Sequence, residues 1–100
     1  MSTPSLSRNV TISNRKGLHA RASAKLARLA ATLPTKVTIT HDGETANARS
    51  IMDLLCLGAA LGTTITISAS GPEASSALDD VETLINDGFG ELSEDGASCK

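Results

Sequence analysis

Aromatic side chains are almost absent from this 100-residue chain, which has no tryptophan, no tyrosine and a single phenylalanine, Phe89. A platform for single-stranded nucleic acid stacks bases on aromatic rings, so that function class is disfavoured. Cysteine is scarce too: Cys56 lies in an apolar run and Cys99 next to the end, and the pair fits neither a metal spacing nor a disulfide framework. Both are expected to be plain thiols, Cys56 a buried one, in a reducing cytoplasm. No apolar run has the character of a membrane span, because the least charged stretch, 54–70, is interrupted by Gly58 and Gly62 and rich in threonine and serine. The polar start, 1–9, has no signal-peptide character. No metal-ligand cluster, nucleotide-binding glycine loop or catalytic pair stands out, so no metal, no cofactor and no independent enzymatic activity is expected.

Acidic residues are missing from the first part of the chain. None precedes Asp42, whereas Arg8, Arg15, Lys16, Arg21, Lys25 and Arg28 all do; eight of the eleven acids lie from Glu73 onward. Net charge is only -2, so the asymmetry matters more than the sum. It points to an N-terminal basic face that meets an anionic partner. Arg8 and Lys36 read as ordinary solvated charges. A nucleic-acid partner ranks low, given the negative net charge and the missing stacking residues.

What is present has a clear rhythm. Val10 and Ile12 alternate with polar residues, as in a half-buried strand, and Asn14-Arg15-Lys16-Gly17 reads as a turn. From His19 to about Thr32 the period becomes helical, with Ala22, Leu26, Leu29 and Leu33 on one face and Pro34 as the stop. Val37 and Ile39, then Ala46 and Ala48, flank Asp42-Gly43, a hairpin signature. Ser50 to about Leu57 is a short apolar helix, with Ser50 and Asp53 spaced as a capping box. A strand over Thr63–Ala69 follows, with Ile65, Ile67 and Ala69 on one side. Gly71-Pro72-Glu73 then opens a helix whose stripe is Ala74, Ala77, Leu78, Val81, Leu84 and Ile85. The order β-α-β-β-α-β-α, with alternating strands, predicts an α+β fold: a four-stranded antiparallel sheet with three helices on one face, an open-faced two-layer sandwich. Residues 1–91 are expected to form one domain and 92–100 a flexible tail.

The chemistry concentrates at Gly17-Leu18-His19-Ala20-Arg21. A histidine at the start of a helix sits where backbone N–H groups lack helical partners and the helix dipole is positive. An anion is favoured there and a cationic ring is not, which leaves the imidazole nucleophilic. A phosphoryl group on His19 would meet the N–H groups of Ala20 and Arg21, and the Arg21 guanidinium would add a charge-assisted contact. Phosphoryl transfer needs mostly positioning and charge stabilisation, so one nucleophile and a few donors suffice. Arg21, Lys25 and Arg28, with Ala24 among them, share a helix face suited to acidic partners. Ile51, Met52 and Leu55 would supply the apolar half of that dock if exposed. Taken alone, a histidine near a helix start is more often a cap than a nucleophile, His41 reads as a hairpin residue and Ser50 as a helix cap.

The constellation resembles a known family. Gly17-Leu18-His19-Ala20-Arg21 is similar to the active-site motif of HPr, the histidine-containing phosphocarriers of the bacterial phosphoenolpyruvate-dependent phosphotransferase system. Arg49-Ser50-Ile51-Met52 is similar to that family's regulatory motif, and Gly88-Phe89-Gly90-Glu91 matches near the end, so that the likeness covers about residues 8–91. The resemblance implies that His19 takes a phosphoryl group on Nδ1 from phosphorylated enzyme I and yields it to a histidine of an EIIA-type protein. The carrier would act as a covalent co-substrate and as a monomer. It also implies phosphorylation of Ser50 by an HPr kinase/phosphorylase. Two departures from the pattern stand out. Ala22-Ser23 replaces the common Pro-Ala, a variant similar to that of alphaproteobacterial HPr-like proteins of the nitrogen-related branch. Asp53 brings a carboxylate to the Ser50 motif, where it would repel a phosphate. The competing class is a regulatory module that docks through the basic helix without carrying phosphate on His19.

Overall fold

The computed structural model describes residues 5–90. Strand β1 (Ser5–Thr11) leads into helix α1 (Ala20–Thr32), then strands β2 (Val37–His41) and β3 (Glu44–Asn47). Helix α2 (Ile51–Leu57), strand β4 (Thr64–Ser70), helix α3 (Ala74–Asn86) and a short turn, Gly88–Gly90, complete the order. The four strands form one antiparallel sheet in the order β1-β4-β2-β3. This is the α+β architecture expected from the alternation.

Alternation decides the layers. Val10, Ile65, Ile67, Val37, Ile39 and Ala46 point to the helices and are buried. The opposite face of the sheet carries serine, threonine and asparagine: Ser7 bonds Ser68 at 3.0 Å, Thr66 bonds Asn9 at 2.9 Å and Thr40 bonds Thr45 at 3.1 Å. The core is aliphatic, built from Leu26, Leu54, Leu78, Ile85 and their neighbours around the one aromatic ring, Phe89. Asp42 and Gly43, at φ 51° and 84°, make the β2–β3 turn with the two positive φ values that a type I′ hairpin demands.

Several local expectations change. Strand β1 begins at Ser5, inside the polar start, because pairing along β4 supplies its ladder from Ser5↔Ser70 to Thr11↔Thr64. Pro72 precedes α3 rather than opening it: Ala74 is the first helical residue, and its N–H bonds the Gly71 carbonyl across a tight turn. The Ser50–Asp53 capping box is half formed. Ser50 Oγ accepts from the Asp53 N–H at 3.2 Å, but the Asp53 carboxylate turns to the N–H of Asn47, and the Ser50 N–H bonds the Asn47 carbonyl. Cys56 is exposed, not buried. Helix α2 turns Leu54 and Leu57 inward, which leaves position 56 on its outer side. Arg8 is not merely solvated: it pairs with Asp79 and Glu82 of α3, and these hydrogen bonds raise its guanidinium pKa further. The expected tail, 92–100, lies outside the described residues, as does Cys99.

Candidate functional site

The site is built on the turn that joins β1 to α1. His19 is the N-cap of α1, in extended conformation (φ −80°, ψ −176°), and caps through its backbone rather than its ring. Its carbonyl accepts the Ser23 N–H at 2.8 Å. The side chain is half-buried, and Ala20 and Arg21, the first helical residues, are exposed beside it. No acidic residue occupies the first turn of α1, so no carboxylate competes there with a bound anion.

Glycine at position 17 is obligatory for this geometry. It has φ +63°, and a Cβ there would overlap the Ala59 carbonyl oxygen and lie 2.8 Å from Ala60 Cα. The approach lets the Leu18 N–H bond the Ala59 carbonyl at 2.9 Å, which fastens the His19 turn to the loop between α2 and β4. Leu18 itself is buried in the core.

Two buried polar side chains brace the same turn. Asn14 Nδ2 donates to the Gly17 carbonyl at 2.8 Å, and Ser23 Oγ donates to the Leu18 carbonyl at 3.2 Å. Neither residue stood out as functional in the sequence. An asparagine opening a glycine turn and a serine on the buried face of a helix were the available signals.

The basic face of α1 divides. Arg21 and Arg28 are exposed, whereas Lys25 is half-buried and its Nζ donates to the Phe89 carbonyl at 2.6 Å; Ala24 lies half-buried among them. Ile51, Met52 and Leu55 on α2 are exposed, Met52 by 69%, and Leu61, overlooked in the sequence, joins them at 55%. The loop that carries Leu61 is fastened to the His19 turn by the bond between the Leu18 N–H and the Ala59 carbonyl. Arg49 spans the two helices, donating from Nε and Nη2 to the carbonyls of Ala30 and Leu33 at the end of α1. It supplies the cation that α1 lacks in its own last turn. His41 is drawn from its hairpin onto α2, with Nδ1 3.0 Å from the Leu57 carbonyl oxygen.

A family model described as the PTS HPr component phosphorylation site matches residues 6–87. The chain belongs to the HPr family. It is 43% identical over 86 residues to the phosphocarrier protein HPr of Cupriavidus necator, a match that covers 86% of this chain and 97% of that protein. Identity to the phosphocarrier protein NPr of Shewanella violacea is also 43%, covering 88% and 97% of the two chains. Among solved structures, HPr-C-His from Thermoanaerobacter tengcongensis superposes with a TM-score of 0.81 at 31% identity, over 86% of this chain and 97% of that one. The HPr of Bacillus anthracis gives 0.77 at 32%, over 81% and 96%. As an HPr-family member the chain is a phosphocarrier of the phosphotransferase system rather than an enzyme, and the family implies partners such as enzyme I and EIIA-type proteins. Among its described residues no helix is long and apolar enough to cross a membrane.

Proposed function

We propose that this HPr-family chain takes a phosphoryl group from phosphorylated enzyme I on Nδ1 of His19 and delivers it to a histidine of an EIIA-type protein. In the first step the imidazole nitrogen attacks phosphorus, an N–P bond forms, and the bond between phosphorus and the donor nitrogen breaks. The second step is the same exchange with His19 as leaving group. The single observation that carries this reading is the position of His19 as N-cap of a 13-residue helix with no carboxylate in its first turn. The helix dipole and the N–H groups of Ala20 and Arg21 would balance the phosphoryl charge, and the Arg21 guanidinium would add a fork of donors. Arg28 and the exposed Ile51, Met52 and Leu55 would dock the partners. Lys25 would act there through the shape of α1, since its ammonium is bonded to Phe89.

Ser50 is the proposed regulatory site, modified by an ATP-dependent HPr kinase/phosphorylase. A phosphate there would add about −1.5 to −2 charges beside the docking ledge. The Asp53 carboxylate already brings one negative charge to that end of α2 and weakens the site as a phosphate acceptor. The carrier would work as a monomer in the cytoplasm.

The test is incubation with enzyme I and phosphoenolpyruvate, followed by intact mass and acid-stability analysis. One acid-labile phosphate, absent from a folded His19→Ala variant, is the expected result. Failure of the wild-type protein to charge with a competent enzyme I would replace this reading with the regulatory module.

A further inference from the structure

We propose that Asn14 and Ser23 are positioning residues for phosphoryl transfer at His19, an inference that rests on His19 being the acceptor. They are the two fully buried polar side chains among the described residues, in a core otherwise made of aliphatic groups and Phe89. Burying an amide or a hydroxyl is unfavourable unless it is bonded. Alanine fills comparable buried positions of α1 at residues 22, 27 and 30, so packing alone does not call for a serine at 23.

Both side chains donate to the peptide groups immediately before the acceptor. Asn14 Nδ2 holds the Gly17 carbonyl, and Ser23 Oγ holds the Leu18 carbonyl. The Ser23 N–H adds the His19 carbonyl. Three successive carbonyl oxygens, at 17, 18 and 19, are thereby bonded to donors supplied by Asn14 and Ser23. A carbonyl oxygen aimed at a phosphoryl dianion would repel it. With these oxygens engaged, the start of α1 meets the incoming group with its positive end. The same bonds fix the backbone that carries the His19 ring, and small misplacements of a nucleophile slow in-line transfer steeply.

The experiment uses the full chain as varied substrate of enzyme I with phosphoenolpyruvate, and compares wild type with Ser23→Ala, Asn14→Ala and Ile67→Val. Ile67 lies in the sheet interior and serves as a stability control. Ser23→Ala and Asn14→Ala are expected each to lower kcat by about fivefold or more, with KM little changed. Ile67→Val is expected to lower the melting temperature without changing kcat. A wild-type kcat in Ser23→Ala and Asn14→Ala, with only the melting temperature reduced, would make the two bonds structural and overturn the proposal. Should Asn14→Ala fail to fold, Ser23→Ala decides alone. Absence of charging in the wild-type protein is a separate result, which removes His19 as acceptor and the proposal with it.

Discussion

Lys25 Nζ donates to the carbonyl oxygen of Phe89, 2.6 Å away, so a basic side chain of α1 is fastened to the turn that follows α3. Phe89 is fully buried and held at φ 57°, a conformation that non-glycine residues seldom adopt. The bond therefore secures the one aromatic ring of the core.

Lys25→Met keeps most of the apolar stem and removes the donor. A hydrogen bond from a charged group is worth about 1.5–3 kcal/mol, and partial exposure reduces it, so a loss of about 1–2 kcal/mol is expected. Urea unfolding measures it. A change below about 0.5 kcal/mol would return Lys25 to the ordinary surface charges.

Gly17→Ala combines a positive φ with a clash against backbone at Ala59 and Ala60. A loss of about 2–4 kcal/mol is expected, together with loss of phosphoryl acceptance, because the turn that carries His19 must move. Gly43→Ala is the comparison: its φ is +84° but the space around it is open. That variant is expected to lose about 1 kcal/mol and to accept phosphoryl groups normally. Equal losses for the two would remove the importance of the Ala59 approach.

Met52→Asp tests the apolar ledge. The side chain is 69% exposed, so stability is expected to stay within about 0.5 kcal/mol of wild type. The KM for enzyme I is expected to rise about tenfold or more as a carboxylate enters an apolar dock. Unchanged KM would place docking elsewhere on the surface.

Cys56 is exposed on α2, and Cys56→Ser is expected to leave unfolding unchanged within about 0.5 kcal/mol. In a Cys99→Ser background the native thiol is expected to react with a water-soluble alkylating reagent at nearly the rate seen in urea. Strong protection in the native state would contradict its exposure.

The parts legible in the sequence were those governed by neighbours along the chain. The period of Val37 and Ile39 and the Asp42-Gly43 turn each state a local backbone preference, and each recurs in the structure. The start of α1 was legible for the same reason: Gly17 permits the turn, and helical periodicity begins just after His19. Cys56 was misread because an apolar run in a seven-residue helix does not say which third of it turns inward. Arg8 was misread because its partners, Asp79 and Glu82, lie more than seventy positions away and meet it only where α3 crosses β1.

The sequence by itself determined the element order, the two-layer class and the candidate nucleophile, because apolar period, turn chemistry and helix-start signals act over a few residues. Only the tertiary structure decided how that nucleophile is supported. It brought Ala59 against Gly17, turned Asn14 and Ser23 onto the carbonyls before His19, and took the ammonium of Lys25 for Phe89. The bonds from Ala59 and Phe89 join residues far apart in the chain. Those made by Asn14 and Ser23 span only three and five residues, but they need both side chains buried. Burial is settled by how the helices pack on the sheet, which no local pattern records.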